Sequence, residues 1–175
     1  MDLKKKNTAL LIIDVQIGLF RKKTPIYSEL ELLKNITTLI TRSRTANIPI
    51  IFVQHSNKSR LIEDSDDWQI HPQLACQSSD VFIRKQHGSA FEETSLQNEL
   101  DQKQISTLVI TGIVTHGCVR ATCYDAIKLG YEVVLAQDAH SGFNQDDGVY
   151  IEEWNAKFAA ENIVLMPTES IYNLL

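Results

Sequence analysis

The sequence predicts an α/β fold whose strands run parallel and are covered on both faces. Short, apolar, mostly β-branched runs alternate with longer stretches of helical periodicity. The segments between the runs are long enough for helical crossovers, which parallel pairing requires. No internal repeat or low-complexity linker breaks the alternation, so 1–175 is expected to form one domain with a sizeable core.

The first run, Ala9–Asp14, follows a basic start, Lys4 to Lys6. Interrupted by Asp14, it is too short to span a membrane and reads as a central strand. Ser28–Ala46 carries a helical pattern, and Pro49–Gln54 is the second strand. Asn57 to Gln77, with His71, Pro72 and several acids, is less regular and is expected to be a surface excursion near the strand ends. Val81–Lys85 is the third strand, Thr94–Lys103 a helix and Leu108–Thr111 the fourth strand. A helix then runs from Gly117 to Gly130, where the glycine suits a C-cap. Glu132–Ala136, a helix over Asp147–Ala160 and Ile163–Met166 complete the set.

Composition narrows the function classes. The 17 basic and 22 acidic side chains leave a formal charge of −5 with no basic block, so electrostatic capture of nucleic acid is not expected. Nothing resembles a membrane segment, and the expected partner is a small-molecule substrate. Cys76, Cys118 and Cys123 are odd in number and lack zinc or CxxC spacing, which favours a reducing, cytoplasmic setting.

In sheets of this kind, functional groups collect beyond the carboxyl ends of the strands. The first strand ends in Asp14, the third in Lys85, and the fourth leads into Cys118. With a helix beginning near Gly117, Cys118 is expected in its first turn, where free N–H groups and the dipole favour a thiolate. Asp14 can accept the thiol proton and Lys85 can stabilise the sulfur's negative charge. The same residues also admit plainer roles: an Asp14–Lys85 salt bridge at a sheet edge, and Cys118 as a small buried hydrophobe.

The motifs LLIIDVQ (Leu10 to Gln16), RKQHGSAFEET (Arg84 to Thr94), GIVTHGCVRAT (Gly112 to Thr122) and DAIKLGYEVVLAQDAHS (Asp125 to Ser141) make the chain resemble the isochorismatase-like cysteine hydrolases. That superfamily includes nicotinamidases and related amidohydrolases. The resemblance implies a Rossmann-like three-layer α/β/α fold with a six-stranded parallel sheet. It also implies a catalytic Asp–Lys–Cys triad, carried onto Asp14, Lys85 and Cys118, and a homo-oligomer. Just before the nucleophile it implies a non-proline cis peptide between Ile113 and Val114, aiming the Val114 and Cys118 N–H groups into an oxyanion hole.

The activity so implied is hydrolysis of an amide, imide or carbamoyl-type C–N bond through a thioester, with no organic cofactor. The absence of GxGxxG or P-loop sequences agrees. Metal-carrying nicotinamidases have an Asp-x-His motif after the second strand. This chain has Gln54-His55-Ser56-Asn57 there, and its histidines show no ligand spacing, so no metal is expected. His55, His71, His87, His116 and His140 are read as polar loop residues, with His55 also a candidate pocket residue. Leu19, Phe20, Trp68 and Phe91 are candidate apolar walls of the substrate pocket. The alternatives are a vinyl-ether hydrolase using Asp14 and Lys85 without the thiol, a redox protein using Cys118 and Cys123, and a catalytically silent binding protein. Sulfurs five residues apart on a helix face different sides, which disfavours the redox alternative.

Overall fold

Strand alternation decides the layering. Along the first strand, β1 (Thr8–Ile13), every residue is buried. Leu10 and Ile12 enter one apolar cluster, and Ala9, Leu11 and Ile13 enter another. A strand buried on both sides must lie between two layers of helices. The computed structural model describes residue 3, residues 7–143 and residues 147–175; the basic start at Lys4 to Lys6 lies outside them.

Six parallel strands form one sheet in the order β3-β2-β1-β4-β5-β6. The others are β2 (Ile50–His55), β3 (Val81–Lys85), β4 (Thr107–Ile113), β5 (Glu132–Ser141) and β6 (Val164–Met166). One face is covered by α2 (Glu29–Thr45) and α6 (Thr168–Leu174). The other face carries α3 (Leu96–Gln102), α4 (Arg120–Lys128) and α5 (Asp147–Ala160). In α2 the buried positions Leu32, Leu33, Ile36, Leu39 and Ile40 repeat at helical spacing, with Glu29 and Glu31 in the first turn and Arg42 and Arg44 in the last. This is the expected three-layer, Rossmann-like α/β/α arrangement.

The winding reverses between β1 and β4. From β1 the chain builds outward to β2 and β3, then returns to β4 and builds the other way. The crevice above the carboxyl ends of β1 and β4 is therefore the topological switch point, where such folds place ligands.

Several boundaries depart from expectation. β5 continues to Ser141 instead of ending at Ala136, because after a bulge its His140 and Ser141 pair with Gly112 and Ile113 of β4. His140 is thus a buried strand residue, not a loop residue. Asp14 lies just outside β1, in a left-handed conformation with φ 54°. A short helix, α1 (Ile17–Phe20), and α6 were not anticipated. The segment from Asn57 to Gln77 is irregular as expected, with short 3-10 turns at Asp66–Trp68 and Pro72–Leu74. The helix expected from Gly117 is two pieces, a π turn over Thr115–Val119 followed by α4.

Gly112 marks a close approach of β4 to β1. It has φ +122°, and an added Cβ would stand 2.1 Å from the Ile13 carbonyl oxygen. Neither the conformation nor the space admits a side chain. Gly112→Ala is expected to cost about 3 kcal/mol or more, read as a lowered midpoint in urea unfolding. Wild-type stability in that variant would contradict this account of β1–β4 packing.

Candidate active site

The residues at the strand ends converge because of register. His55 and Lys85 are direct partners across β2 and β3. Residues so paired point to the same face, and from there the long Lys85 side chain reaches toward the switch point. Its Nζ lies 2.7 Å from Asp14 Oδ2, 3.2 Å from Cys118 Sγ, 3.2 Å from His55 Nδ1 and 3.1 Å from the His87 carbonyl oxygen. Asp14, Lys85 and Cys118, each from a different part of the chain, thus meet around one ammonium group.

Burial makes that meeting costly and therefore informative. The side chains of Lys85 and Asp14 are 0% and 3% exposed. Ions held so far from water persist only with close partners. Asp14 Oδ2 has its ammonium, but Oδ1 is buried with no hydrogen-bond partner among the described residues. Nearly all buried polar atoms are satisfied, so an orphaned carboxylate oxygen marks a place where a proton or a ligand group can be received. Burial raises the Asp14 pKa, opposed by Lys85 and by the nearby Cys118 thiol. That thiol is the group placed to hand a proton to this carboxyl, although it falls outside hydrogen-bond geometry with Oδ1.

The Cys118 environment corrects the expected thiolate. Cys118 sits in the π turn rather than in the first turn of an α-helix, and Gly117 before it has non-helical angles (φ −108°, ψ −107°). Burial and the neighbouring Asp14 carboxylate push the thiol up to about 12, with Lys85 pulling the other way. The resting group is a thiol. Cys76 is exposed and Cys123 buried, and all three cysteines are free.

Second-tier contacts hold these groups in place. The Val114 carbonyl accepts from the Gly117 and Val119 N–H groups, closing the turn that carries Cys118. The peptide between Ile113 and Val114 is cis. Behind the turn, Asn155 donates from Nδ2 to the Gln137 carbonyl, leaving its Oδ1 to accept from His140 Nε2. His140 Nδ1 is then an acceptor for the Thr115 hydroxyl at 2.9 Å. Burial drives the His140 pKa down to about 4, which keeps the ring neutral. The Thr122 hydroxyl of α4 accepts from the Ala90 N–H, tying the segment after Lys85 to the cysteine-bearing helix.

Two glutamines that sequence reasoning passed over organise the opposite wall. Gln16 Nε2 donates to the His55 and Trp68 carbonyls, while its Oε1 accepts the His55 N–H. Gln54 Nε2 also reaches the Trp68 carbonyl. The available signal was a glutamine two residues beyond the strand-end acid, closing the LLIIDVQ run; the structure buries it fully.

The candidate wall residues are distributed unevenly. His55 is in the cluster. Trp68 is buried nearby, its indole N–H donating to Ser56 Oγ at 2.9 Å and its ring under Arg84, which pairs with Glu63. Phe91 lies against Tyr131 at 5.6 Å, in the apolar layer that Cys118 also touches. Leu19 and Phe20 pack against the α2-side core, with Phe20 4.6 Å from the His71 ring. A cavity of about 220 Å³ beside Lys85 is lined by polar groups, among them Ser56, Gln86, His87 and Glu93.

An oxygen of Asp14, a ring nitrogen of His55 and Cys118 Sγ lie within 4.8 Å of one another, a donor set that a zinc-like ion accepts. The Lys85 ammonium already stands among these atoms, at 2.7 to 3.2 Å from each of the three side chains. The chain itself supplies the positive charge, and a metal would have to expel a fully buried lysine.

Comparison with known proteins places this geometry in context. The model of the isochorismatase domain matches residues 8–161. Nicotinamidase 3 of Arabidopsis thaliana is 27% identical over 161 residues, covering 83% of this chain and 78% of that protein. The streptothricin hydrolase of Streptomyces noursei is 27% identical over 138 residues, 78% of this chain. The match spans only 50% of that relative's length. A crystal structure of an isochorismatase family protein superposes with a TM-score of 0.85 at 34% identity, over 92% of this chain and 98% of the other.

Replacing Lys85 with methionine would leave Asp14 buried without its ion partner. The folded-state pKa of Asp14 would then rise further, so this variant is expected to be most stable below the ordinary carboxylate value and to lose stability as pH rises through the folded value. At neutral pH the loss is expected to be about 3–5 kcal/mol. Urea unfolding at several pH values checks this, and a pH-independent defect would contradict it.

Proposed function

The chain belongs to the isochorismatase family, and we propose that it is a cysteine hydrolase cleaving a carbon–nitrogen bond of a small molecule, with Cys118 as nucleophile. The observation that carries this reading is the orphaned Asp14 Oδ1, buried in a cluster with a neutral thiol and a lysine ammonium. A standing salt bridge has no use for an unpartnered oxygen, whereas a base that must accept a proton does. The names of the two hydrolase relatives, one a nicotinamidase and therefore acting on an amide, support a substrate of that bond type.

In this reading Asp14 takes the Cys118 proton as sulfur attacks the carbonyl carbon. Lys85 stabilises the charge on the sulfur before the bond forms. The Val114 and Cys118 N–H groups receive the oxyanion; such a donor is worth about a hundred- to a thousandfold in turnover. Protonated Asp14 then gives its proton to the departing nitrogen, and the C–N bond breaks to leave a thioester. Water enters, Asp14 removes its proton, and the carboxylic acid product departs as the thiol is restored. Asp14 thus acts as base, acid and base in turn, which its raised pKa suits.

Turnover of a panel of amides, imides and one vinyl ether tests the proposal. Cys118→Ala and Asp14→Asn should each lower turnover of an amide by at least about a thousandfold while remaining folded, because members of one catalytic unit do not contribute additively. Mass spectrometry of quenched wild-type enzyme should find an acyl adduct on Cys118. Near-normal turnover by Cys118→Ala would overturn the acyl-enzyme mechanism, and loss of vinyl-ether cleavage in Asp14→Asn alone would favour the thiol-independent alternative.

Because the Lys85 ammonium occupies the space among the metal-type donors, exhaustive chelation is expected to leave amide hydrolysis unchanged. Inactivation by EDTA that zinc or another divalent ion reverses would contradict this.

A further inference from the structure

The Lys85 ammonium has more neighbours than protons. Four acceptors stand within 3.2 Å of Nζ: Asp14 Oδ2, the His87 carbonyl, His55 Nδ1 and Cys118 Sγ. An ammonium offers three N–H bonds. The carboxylate at 2.7 Å and the carbonyl at 3.1 Å are the closest, and both are strong acceptors. The third N–H is contested between His55 and Cys118, each at 3.2 Å. Since an ammonium only donates, His55 Nδ1 must meet it as a lone pair, which puts the ring proton on Nε2.

The outcome of that contest depends on the charge of the sulfur. A neutral thiol is a weak acceptor and loses the N–H to an imidazole nitrogen, while a thiolate is a strong one and wins it. We propose that His55 is a positioning residue that competes with Cys118 for one N–H of Lys85, holding the nucleophile as a quiescent thiol until the sulfur ionises. The fold builds this competition in, because His55 and Lys85 are register partners and Gln16 clamps the His55 backbone through both its N–H and its carbonyl. The inference rests on reading Cys118 as the nucleophile.

Of the four acceptors, His55 is the imidazole, and protonation of its ring on the acid side of neutrality removes its acceptor atom. The charged and titratable groups acting on it are Lys85, Asp14 and His87, and Cys118 completes the cluster. Burial and the Lys85 charge lower its pKa below the ordinary 6.5, so the ring is neutral at rest. Below its titration the ring can no longer hold the third N–H, which passes to the sulfur.

The test is alkylation of Cys118 by iodoacetamide in the intact protein, followed by peptide mass mapping, for wild type, His55→Asn and His55→Leu. Asparagine places an amide oxygen near the Nδ1 position and does not titrate; leucine removes the acceptor. At neutral pH, His55→Leu should be alkylated faster on the order of tenfold, the worth of a hydrogen bond to a charged group, with His55→Asn within about twofold of wild type. As pH falls, the wild-type rate should decline less steeply than that of His55→Asn below the His55 titration, and the two should coincide above it. Asp14 and His55 act on each other's charge, so the same pH series is run in the Asp14→Asn background. There the difference must persist between Asp14→Asn alone and Asp14→Asn with His55→Asn. A His55→Leu rate at or below wild type, or superimposable pH profiles of wild type and His55→Asn, would overturn the proposal. If His55→Leu fails to fold by circular dichroism, the pH comparison alone decides. Labelling needs no turnover, so its failure is distinguishable from failure of the hydrolase reading, which the Cys118→Ala turnover measurement decides.

Discussion

Lys85 and Asp14 hold opposite charges 2.7 Å apart where water scarcely reaches, and much of the local architecture serves to keep them there. A buried ion pair loses the hydration of both ions, and Coulomb attraction offsets that loss only when the remaining donors and acceptors are also met. Lys85 has the His87 carbonyl and His55 for this purpose. Asp14 is only half met, since Oδ1 is left open. The asymmetry fits the proposed mechanism, in which the cation stays engaged while Asp14 Oδ1 takes up and returns a proton.

Placement of this pair depends on the sheet's winding. Asp14 follows β1 and Cys118 follows β4, adjacent strands whose onward connections leave in opposite directions, so a crevice lies between those connections above the strand ends. Gly112 lets β1 and β4 approach closely just below, and the left-handed Asp14 turns the chain immediately beyond its strand. Asp is among the few side chains that tolerate that conformation. The turn that carries Cys118 is braced from behind by His140 and Thr115 and from the side by Thr122. Rigidity here matters because displacement of reacting groups by an ångström carries a large rate penalty.

The electrostatic character of the thiol differs from that of cysteines activated by a helix terminus. Burial and the neighbouring Asp14 carboxylate both oppose ionisation of Cys118, and Lys85 favours it. In the proposed mechanism, the thiolate forms only at the moment of attack, by transfer of the Cys118 proton to a neighbour already in place. Such a mechanism makes the proposed base inseparable from the proposed nucleophile.

The alternation of β-branched runs with helical periodicity determined the α/β class and the strand order of events along the chain, and an acid placed directly after five apolar residues singled out Asp14. Lys85 and Cys118 were legible for the same reason, as reactive side chains at strand ends. The role of Gln16, the burial of His140 and the neutrality of Cys118 were not legible. Each depends on groups distant in sequence: Gln16 on the His55 and Trp68 carbonyls, His140 on a bulge that extends β5, and the thiol on Asp14, more than a hundred residues away. Local sequence dictates backbone preference and which side chains are available. Protonation state and hydrogen-bond satisfaction are set by the dielectric and the neighbours that only the packed chain supplies.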